Sequence, residues 1–153
     1  MRRIEKQITD QKEIISILEN NIICRIAFSE KNIPYIVPMN YGYSENNIYL
    51  HSAKEGKKIG IIEHNNKICF EITDSIEIIQ SENACNFGTK FRSVIGFGNI
   101  FPVSDFNKKQ EALQIIMKQH TKKNHWNFPD KMIEKIIIFK IEIEKLTGKK
   151  SGI

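Results

Sequence analysis

Residues 22–51 read IICRIAFSEKNIPYIVPMNYGYSENNIYLH. This stretch contains three apolar, strand-forming runs, at 22–29, 33–43 and 48–51, which two short polar turns separate. Asparagine, which tolerates the positive φ of tight hairpin turns, occurs in both turns. Each strand is therefore predicted to pair antiparallel with the one before it. Pro38 cannot donate to a β-ladder, so we expect the second strand at a sheet edge or bulge, where backbone groups are free for a ligand.

The rest of the chain adds three strands and four helices to this hairpin unit. The strands are predicted at 67–79, 91–103 and 136–146. The helices are predicted after an N-cap at Asp10, over 54–65, from Asp105 and, briefly, after Pro129. Hairpins dominate this order and βαβ alternation is weak. The pattern favours a mainly β protein, an antiparallel barrel with peripheral helices in a single domain over residues 1–153.

Length, charge and cysteine content narrow the class of protein. The chain has 153 residues and a formal net charge of +5, without an apolar run long enough to cross a bilayer and without a secretory signal. Three cysteines without paired spacing indicate a reducing compartment, so we expect a cytoplasmic protein. The basic balance suits either nucleic acid or a bound phosphate compound. Because no basic run carries interleaved aromatic residues, we expect no nucleic-acid partner.

The segment 51–58, HSAKEGKK, has an unusual composition for the start of a helix. Ser52 and Glu55 have the spacing of a capping box, and one interpretation stops there. A second interpretation starts from two unfavourable features. Gly56 would lie inside the first turn, and the lysine pair 57–58 would oppose the helix dipole. An anion at the helix start would explain both features, because free N–H groups, a hydroxyl and lysines together form a phosphate site.

Two further positions extend this hypothesis. His51 ends a predicted strand, and it is either a structural histidine or a proton donor or substrate anchor beside the phosphate site. Arg92 and Ser93 add phosphate-compatible groups on another strand. That strand also carries Gly96 and Gly98, which predict a bend or a close backbone approach. They form no dinucleotide fingerprint, because neither a third glycine nor a helix follows.

The cysteines are not expected to bind metal. Cys24 and Cys69 lie in apolar strands and are predicted to be core residues, whereas Cys85 lies in a polar loop. No two cysteines have CxxC spacing and no histidine pairs with them, so we predict no zinc site. A nucleophile elbow is also missing from the sequence.

Several ordered segments carry a resemblance to a known family. They are MRR (1–3) with ITD (8–10), CRIA (24–27), PYIVPMNYGY (34–43), HSAKEGKK (51–58), CFE (69–71), SVIGFG (93–98) and KIEIE (140–144). Over nearly its whole length the chain resembles the pyridoxamine 5′-phosphate oxidase-related flavoproteins, and most closely their nitroimidazole-resistance (Nim-type) branch. The resemblance implies a split β-barrel homodimer that binds FMN at each side of the subunit interface.

The resemblance also implies which residues contact the flavin and what they do. The implied contacts are Val37, Pro38, Met39 and Asn40 beside the isoalloxazine; His51, Ser52 and Ala53 beside the ring and ribityl chain; Lys57 and Lys58, with Arg92 and Ser93 near them, at the phosphate; and Trp126 from the partner subunit. His51 matches the histidine that acts at the flavin site in the Nim-type branch, so it is the expected catalytic residue.

The expected function is that of an FMN-dependent oxidoreductase which reduces a small acceptor such as a nitroaromatic. Vitamin B6 oxidation is not expected, because arginines occur only at positions 2, 3, 25 and 92 and none matches the substrate-phosphate arginines of the true oxidase. One alternative is a flavin-binding or sensing module without turnover. Another is a haem-binding protein of the same fold, with His51, His120 or His125 as the axial ligand.

Overall fold

A computed structural model describes residues 3–121 and 123–152 of the chain. Its strands are β1 (Gln7–Ile8), β2 (Ile23–Glu30), β3 (Ile33–Asn40), β4 (Gly42–Ser44), β5 (Asn47–Ala53), β6 (Lys67–Ile79), β7 (Gly88–Val103) and β8 (Ile136–Ser151). Its α-helices are α1 (Gln11–Asn20), α2 (Lys57–His64), α3 (Phe106–Thr121) and α4 (Asp130–Ile133). Short 3-10 turns at Ile4–Lys6 and Ala84–Asn86 complete the elements.

All the strands join one antiparallel sheet in the order β3-β2-β6-β7-β8-β5-β4, and β1 pairs with β8. The sheet curls so that β3, at one end of this order, contacts β5 near the other end. No ladder joins these two strands in the described residues, so the barrel is split along a seam between them. The predicted mainly β, antiparallel split barrel is confirmed.

The two hairpin turns form as predicted. Glu30 pairs with Ile33, and the two residues between them, Lys31 and Asn32, have φ of 48° and 64°. The turn between β4 and β5 repeats this geometry, with φ of 49° and 63° at positions 45 and 46. These are the values that two-residue hairpin turns need to match the twist of their strands. The expected edge position of β3, which carries Pro38, is also confirmed.

The barrel core is built by alternation along the strands. Cys24, Ile26 and Phe28 of β2 point inward and are buried, as every second residue of a half-buried strand should be. Gly96 of β7 faces Phe70, and a Cβ atom there would lie 2.2 Å from the phenylalanine ring. The predicted need for a close approach at this glycine is therefore met by core packing.

The helices lie around the barrel. Asp10 caps α1 as predicted, because its Oδ1 accepts a hydrogen bond of 2.9 Å from the N–H of Lys12. Helix α3 packs on β4 and β5. Gln119 fixes it there: its Oε1 accepts from the N–H of Tyr43 at 2.7 Å and its Nε2 donates to the carbonyl of Leu18 at 3.0 Å. Within the described part of the chain, no helix has the length and apolar character to cross a membrane.

Candidate functional site

A cavity of about 450 Å³ opens at the seam between β3 and β5. Its lining consists of Val37, Pro38, Met39 and Asn40 from β3, His51, Ser52 and Ala53 from β5, and Lys58 from α2. All eight are among the residues that the sequence predicts to bind a cofactor. We call this space the seam cavity.

The edge strand gives the seam cavity one polar wall of main chain. β3 forms a ladder with β2 on one side only, so the backbone groups of its other side have no strand partner in the sheet. Such unpaired groups are available to a ligand or to water. A flat ring could therefore contact main-chain donors and acceptors along 37–40.

Ser52 gives the opposite wall an unpartnered hydroxyl. Ile48, Leu50 and Ser52 are the buried residues of β5, and Ser52 is only 7% exposed. Its Oγ has no hydrogen-bond partner among the described residues. A buried polar atom without a partner costs roughly 1–3 kcal/mol, so a ligand or water atom that reached this hydroxyl from the seam cavity would be stabilised there.

The start of α2 differs from the capping-box interpretation. Ser52 lies within β5 because the β5–β8 ladder continues as far as the pair Ala53–Ile136. Helix α2 begins at Lys57, and Gly56 is its N-cap, with φ of 122° and no side-chain cap. The capping box was therefore wrong, and Gly56 is needed for its backbone conformation rather than placed inside the first turn. Among the described side chains, none accepts a hydrogen bond from the first N–H groups of α2.

His51 lies on the outer side of β5 and borders the seam cavity. Partial burial of the imidazole and the charge of the nearby His120 both lower the pKa of His51 below its ordinary value of 6.5. His120, on α3, has a buried Nε2 without a hydrogen-bond partner in the described residues. The sequence indicated His120 only as a possible haem ligand, since nothing in the pattern placed this helix beside β5.

The lowered pKa of His51 predicts a loss of stability in mild acid. The unfolded chain binds the proton near pH 6.5 and the folded protein only at lower pH, so in between the unfolded state holds more protons. This contribution to stability is present above pH 6.5 and is lost as pH falls through the lowered folded-state pKa. Urea unfolding at several pH values should show it, and His51→Gln should flatten that part of the curve. Identical curves for both proteins would contradict the prediction.

Two further predicted cofactor contacts, Lys57 and Trp126, do not line the seam cavity. The Nζ of Lys57 lies 4.6 Å from the ring centroid of Tyr35, in a cation–π contact. Trp126 is fixed against α3 by Gln114, whose Oε1 accepts a hydrogen bond of 2.9 Å from the backbone N–H of Trp126. Trp126 was predicted as a contact from a partner subunit, and that prediction needs a second chain to be tested. Lys57 lies at the start of α2, beside Lys58, and the phosphate role predicted for it also stays a prediction.

Arg92 and Ser93 lie on β7, away from the seam cavity lining. Arg92 is bound by Asp74, with Nη2 2.7 Å from Oδ2 and Nε 3.2 Å from Oδ1. Although burial alone would raise it, hydrogen bonds from Arg92 and Ser75 and the charge of Arg92 hold the pKa of Asp74 below its ordinary range. Ser93 pairs with Thr73 in the β6–β7 ladder. Within one chain, Arg92 and Ser93 therefore do not join the eight predicted cofactor-binding residues that line the seam cavity.

Two of the three cysteines behave as their surroundings predict. Burial raises the pKa of the Cys24 thiol to about 12, so this thiol is inert in the core. Cys69 alternates with the buried Ile68 and Phe70 on β6 and is only half-buried, so its predicted core position was wrong. Cys85 is exposed, as its polar loop predicts. In the described residues, no three His, Cys, Asp or Glu side chains cluster as metal ligands.

The fold and this cavity define the class of the protein as a split β-barrel with a ligand cavity at its open seam. The family model described as pyridoxamine 5′-phosphate oxidase matches residues 10–150. The chain belongs to this pyridoxamine 5′-phosphate oxidase family, and the family-level resemblance seen in the sequence is confirmed.

Solved structures agree with this assignment. A candidate 5-nitroimidazole antibiotic resistance protein from Bacteroides thetaiotaomicron is similar at 29% identity and a TM-score of 0.85, over 94% of this chain and 86% of that one. The flavocytochrome Anf3 from Azotobacter vinelandii shares 21% identity, with a TM-score of 0.83 over 99% and 72%. An FAD-binding protein from Mesorhizobium loti shares 20%, with a TM-score of 0.72 over 96% and 98%. No functionally curated protein matches the sequence.

Proposed function

We propose that this protein binds FMN in the seam cavity and is a flavin-dependent oxidoreductase. The observation that carries the proposal is the unpartnered, buried Oγ of Ser52 in a cavity lined by eight residues with flavin-compatible chemistry. Membership of the pyridoxamine 5′-phosphate oxidase family supports it.

The lining residues suit the separate parts of FMN. The free edge of β3 at 37–40 would hold the ring by main-chain hydrogen bonds, and the hydroxyl of Ser52 would bond a polar atom of the ring or ribityl chain. Lys58 and the first N–H groups of α2 would bind the phosphate, with Lys57 beside them. When bound, FMN supplies the electron-transfer chemistry that these side chains lack. His51 would donate a hydrogen bond from its ring N–H to the flavin, because its lowered pKa favours the neutral imidazole near pH 7.

The proposed substrate is a small acceptor such as a nitroaromatic. The similarity to the Bacteroides thetaiotaomicron protein, at 29% identity over most of both chains, supports this choice. Such an acceptor needs an open approach to the ring, and the seam cavity opens to the surface.

The proposed functional unit is a homodimer. Ile95, Phe97 and Phe101 project from the outer face of β7 and are 42%, 48% and 40% exposed. Their spacing places them on one face of the strand, with Asn99 between Phe97 and Phe101, and an exposed face rich in large apolar side chains marks an interface. Trp126 would then contact the flavin of the partner subunit. Light scattering should give a mass near twice 17.8 kDa, and Phe97→Glu should reduce it to the monomer mass.

An absorbance spectrum of the purified protein, followed by chromatography of the heat-released ligand, tests the cofactor directly. Bands near roughly 370 and 450 nm with released FMN are expected for an isoalloxazine cofactor. A Soret band would replace the proposal with haem binding. A colourless protein that also fails to take up added FMN would overturn it. A protein that binds FMN but shows no turnover with any reductant and acceptor would be a flavin-binding or sensing module.

Replacing Ser52 with alanine should separate ligand binding from stability. Without ligand the variant should be at least as stable as the natural protein, with a gain of up to about 1 kcal/mol, because an unpartnered buried hydroxyl is removed. Its FMN affinity should fall by about tenfold, since one hydrogen bond is lost. Urea unfolding of the ligand-free protein and fluorescence titration with FMN measure the two effects. A destabilised variant with unchanged affinity would show that Ser52 has only a structural role.

A further inference from the structure

A second cavity, of about 710 Å³, is lined by four lysines and one glutamate. Its residues are Lys54, Lys109, Lys131, Lys135 and Glu134. They come from three separate parts of the chain: the segment after β5, helix α3, and α4 with the turn that follows it. We call this space the lysine pocket.

The lysine pocket carries an uncompensated positive charge. Four ammonium groups face one carboxylate, which gives a net charge of +3. None of these five side chains forms an ion pair within residues 3–121 and 123–152, whereas Lys67, Lys90, Lys140 and Lys150 each have an acidic partner there. Among the described residues, the four ammonium groups of the pocket therefore have no ion-pair partner, and the single carboxylate leaves most of their charge uncompensated.

The sheet itself brings two of these lysines together. Ala53 pairs with Ile136 at the end of the β5–β8 ladder, so Lys54 and Lys135 are the next residues on the two antiparallel strands. Lys54 and Lys135 lie just beyond the last ladder pair, where two like charges brought close together repel each other. A bound anion would remove this repulsion.

The lysine pocket adjoins the seam cavity. Ala53 lines the seam cavity and Lys54, the next residue, lines the lysine pocket. Consecutive Cα atoms lie about 3.8 Å apart, so the linings of the two spaces meet at residues 53 and 54. At about 710 Å³ the pocket is too large for a single ion and lies within the range of roughly 300–1,000 Å³ that holds organic ligands.

We propose that the lysine pocket binds the phosphate groups of a dinucleotide whose redox-active end lies in or against the seam cavity. This inference rests on the proposed flavin function. The phosphates could belong to a nicotinamide dinucleotide that reduces the flavin or to the adenylate half of a dinucleotide flavin. Both present the same chemistry to the pocket, namely two or three phosphate charges that lysine ammonium groups bind as point charges.

Calorimetry with adenosine 2′,5′-bisphosphate and with inorganic pyrophosphate tests the pocket in the FMN-loaded protein. The double variant K109A/K135A should bind at least one probe about tenfold more weakly or worse, the equivalent of one lost charge-assisted contact. The matched control is K108A/K118A, which removes the same charge from exposed sites of α3 outside the pocket. The control should bind within about twofold of the natural protein, because it loses no such contact. Absence of binding at low salt, or equal weakening in both variants, would overturn the proposal.

Titration of the ligand-free protein with FMN and with FAD identifies the source of the phosphates. If they belong to a dinucleotide flavin, K109A/K135A should weaken FAD and leave FMN unchanged. If they belong to the reductant, both flavins should bind normally while the bisphosphate probe is lost. A protein that binds the probe but takes up neither flavin would retain the lysine pocket and contradict the proposed function. A protein that takes up flavin, binds no probe and prefers neither flavin would support the proposed function. It would contradict the proposal for the lysine pocket.

Discussion

Replacing His51 with alanine is expected to lower turnover at least about 100-fold while the flavin stays bound, because a hydrogen-bond donor positioned at the reacting ring is removed. The imidazole borders the seam cavity from the outer side of β5, and its lowered pKa makes it a neutral donor near pH 7. The seven other lining residues are untouched, so the cavity should keep its shape. Steady-state turnover per bound flavin, with the flavin counted by absorbance, measures the effect.

His64→Ala is the matched control for this experiment. His64 is exposed on α2, its Nδ1 lies 2.8 Å from the carbonyl oxygen of Gly60, and it does not line the seam cavity. Turnover should therefore be unchanged in this variant. If His51→Ala and His64→Ala turn over equally fast, His51 has no catalytic role. If His51→Ala instead loses its flavin, the histidine is a binding residue.

A large loss of stability is expected from Gly42→Ala. A Cβ atom at Gly42 would lie 2.7 Å from both N and Cα of Ile116, which are backbone atoms of α3 and cannot rotate away. Helix α3 would have to move outward and pull Gln119 from its hydrogen bond with the N–H of Tyr43. Overpacking of this kind lowers the free energy of unfolding by about 1–3 kcal/mol. Because the hydrogen bond between Gln119 and Tyr43 is weakened as well, we expect a loss near the upper end of this range.

Gly60→Ala provides the comparison for Gly42→Ala. Gly60 lies inside α2 with nothing within 4 Å of its added Cβ, so alanine there should stabilise the helix by up to about 1 kcal/mol. Urea midpoints of the two variants should therefore shift in opposite directions. Equal shifts would mean that α3 yields to the extra methyl group at no cost.

Local sequence signals predicted the part of the fold that depends on local physics. The asparagine-containing turns at 30–33 and 44–47 fixed the first hairpins, and Pro38 identified the edge strand, because each effect is confined to a few residues. The same strands carry 37–40 and 51–53. Once these strands lie on either side of the seam, those residues meet in one cavity without further information.

Long-range strand pairing explains why the predicted ends of β5 and β8 came too early. Ser52 and Glu55 satisfy a local capping rule, but the ladder with β8 holds Ser52 in β5, and ladder pairing outweighs a single cap. β8 was predicted to end at 146, whereas it continues to Ser151 because its polar end pairs with β7 and β1. No local pattern shows such partners.

The sequence did not predict the neighbours of some residues, because helix packing or strand register determines where those residues lie. His120 approaches His51 only because α3 packs on β4 and β5. Arg92 looked free for a phosphate, yet the β6–β7 register sets it opposite Asp74. The lysine pocket likewise depends on the packing of α3 and α4 beside the end of β5.

The open seam has a consequence for how the protein responds to its own ligand. The two walls of the seam cavity belong to β3 and β5, which no ladder joins in the described residues. A molecule that hydrogen-bonds both walls would link β3 to β5 for as long as it stays bound. Its occupancy would set how readily the barrel opens, because binding to the closed form adds to stability by mass action. Amide protons of β3 and β5 would then exchange more slowly as ligand is added, and those of β6 and β7 would change least.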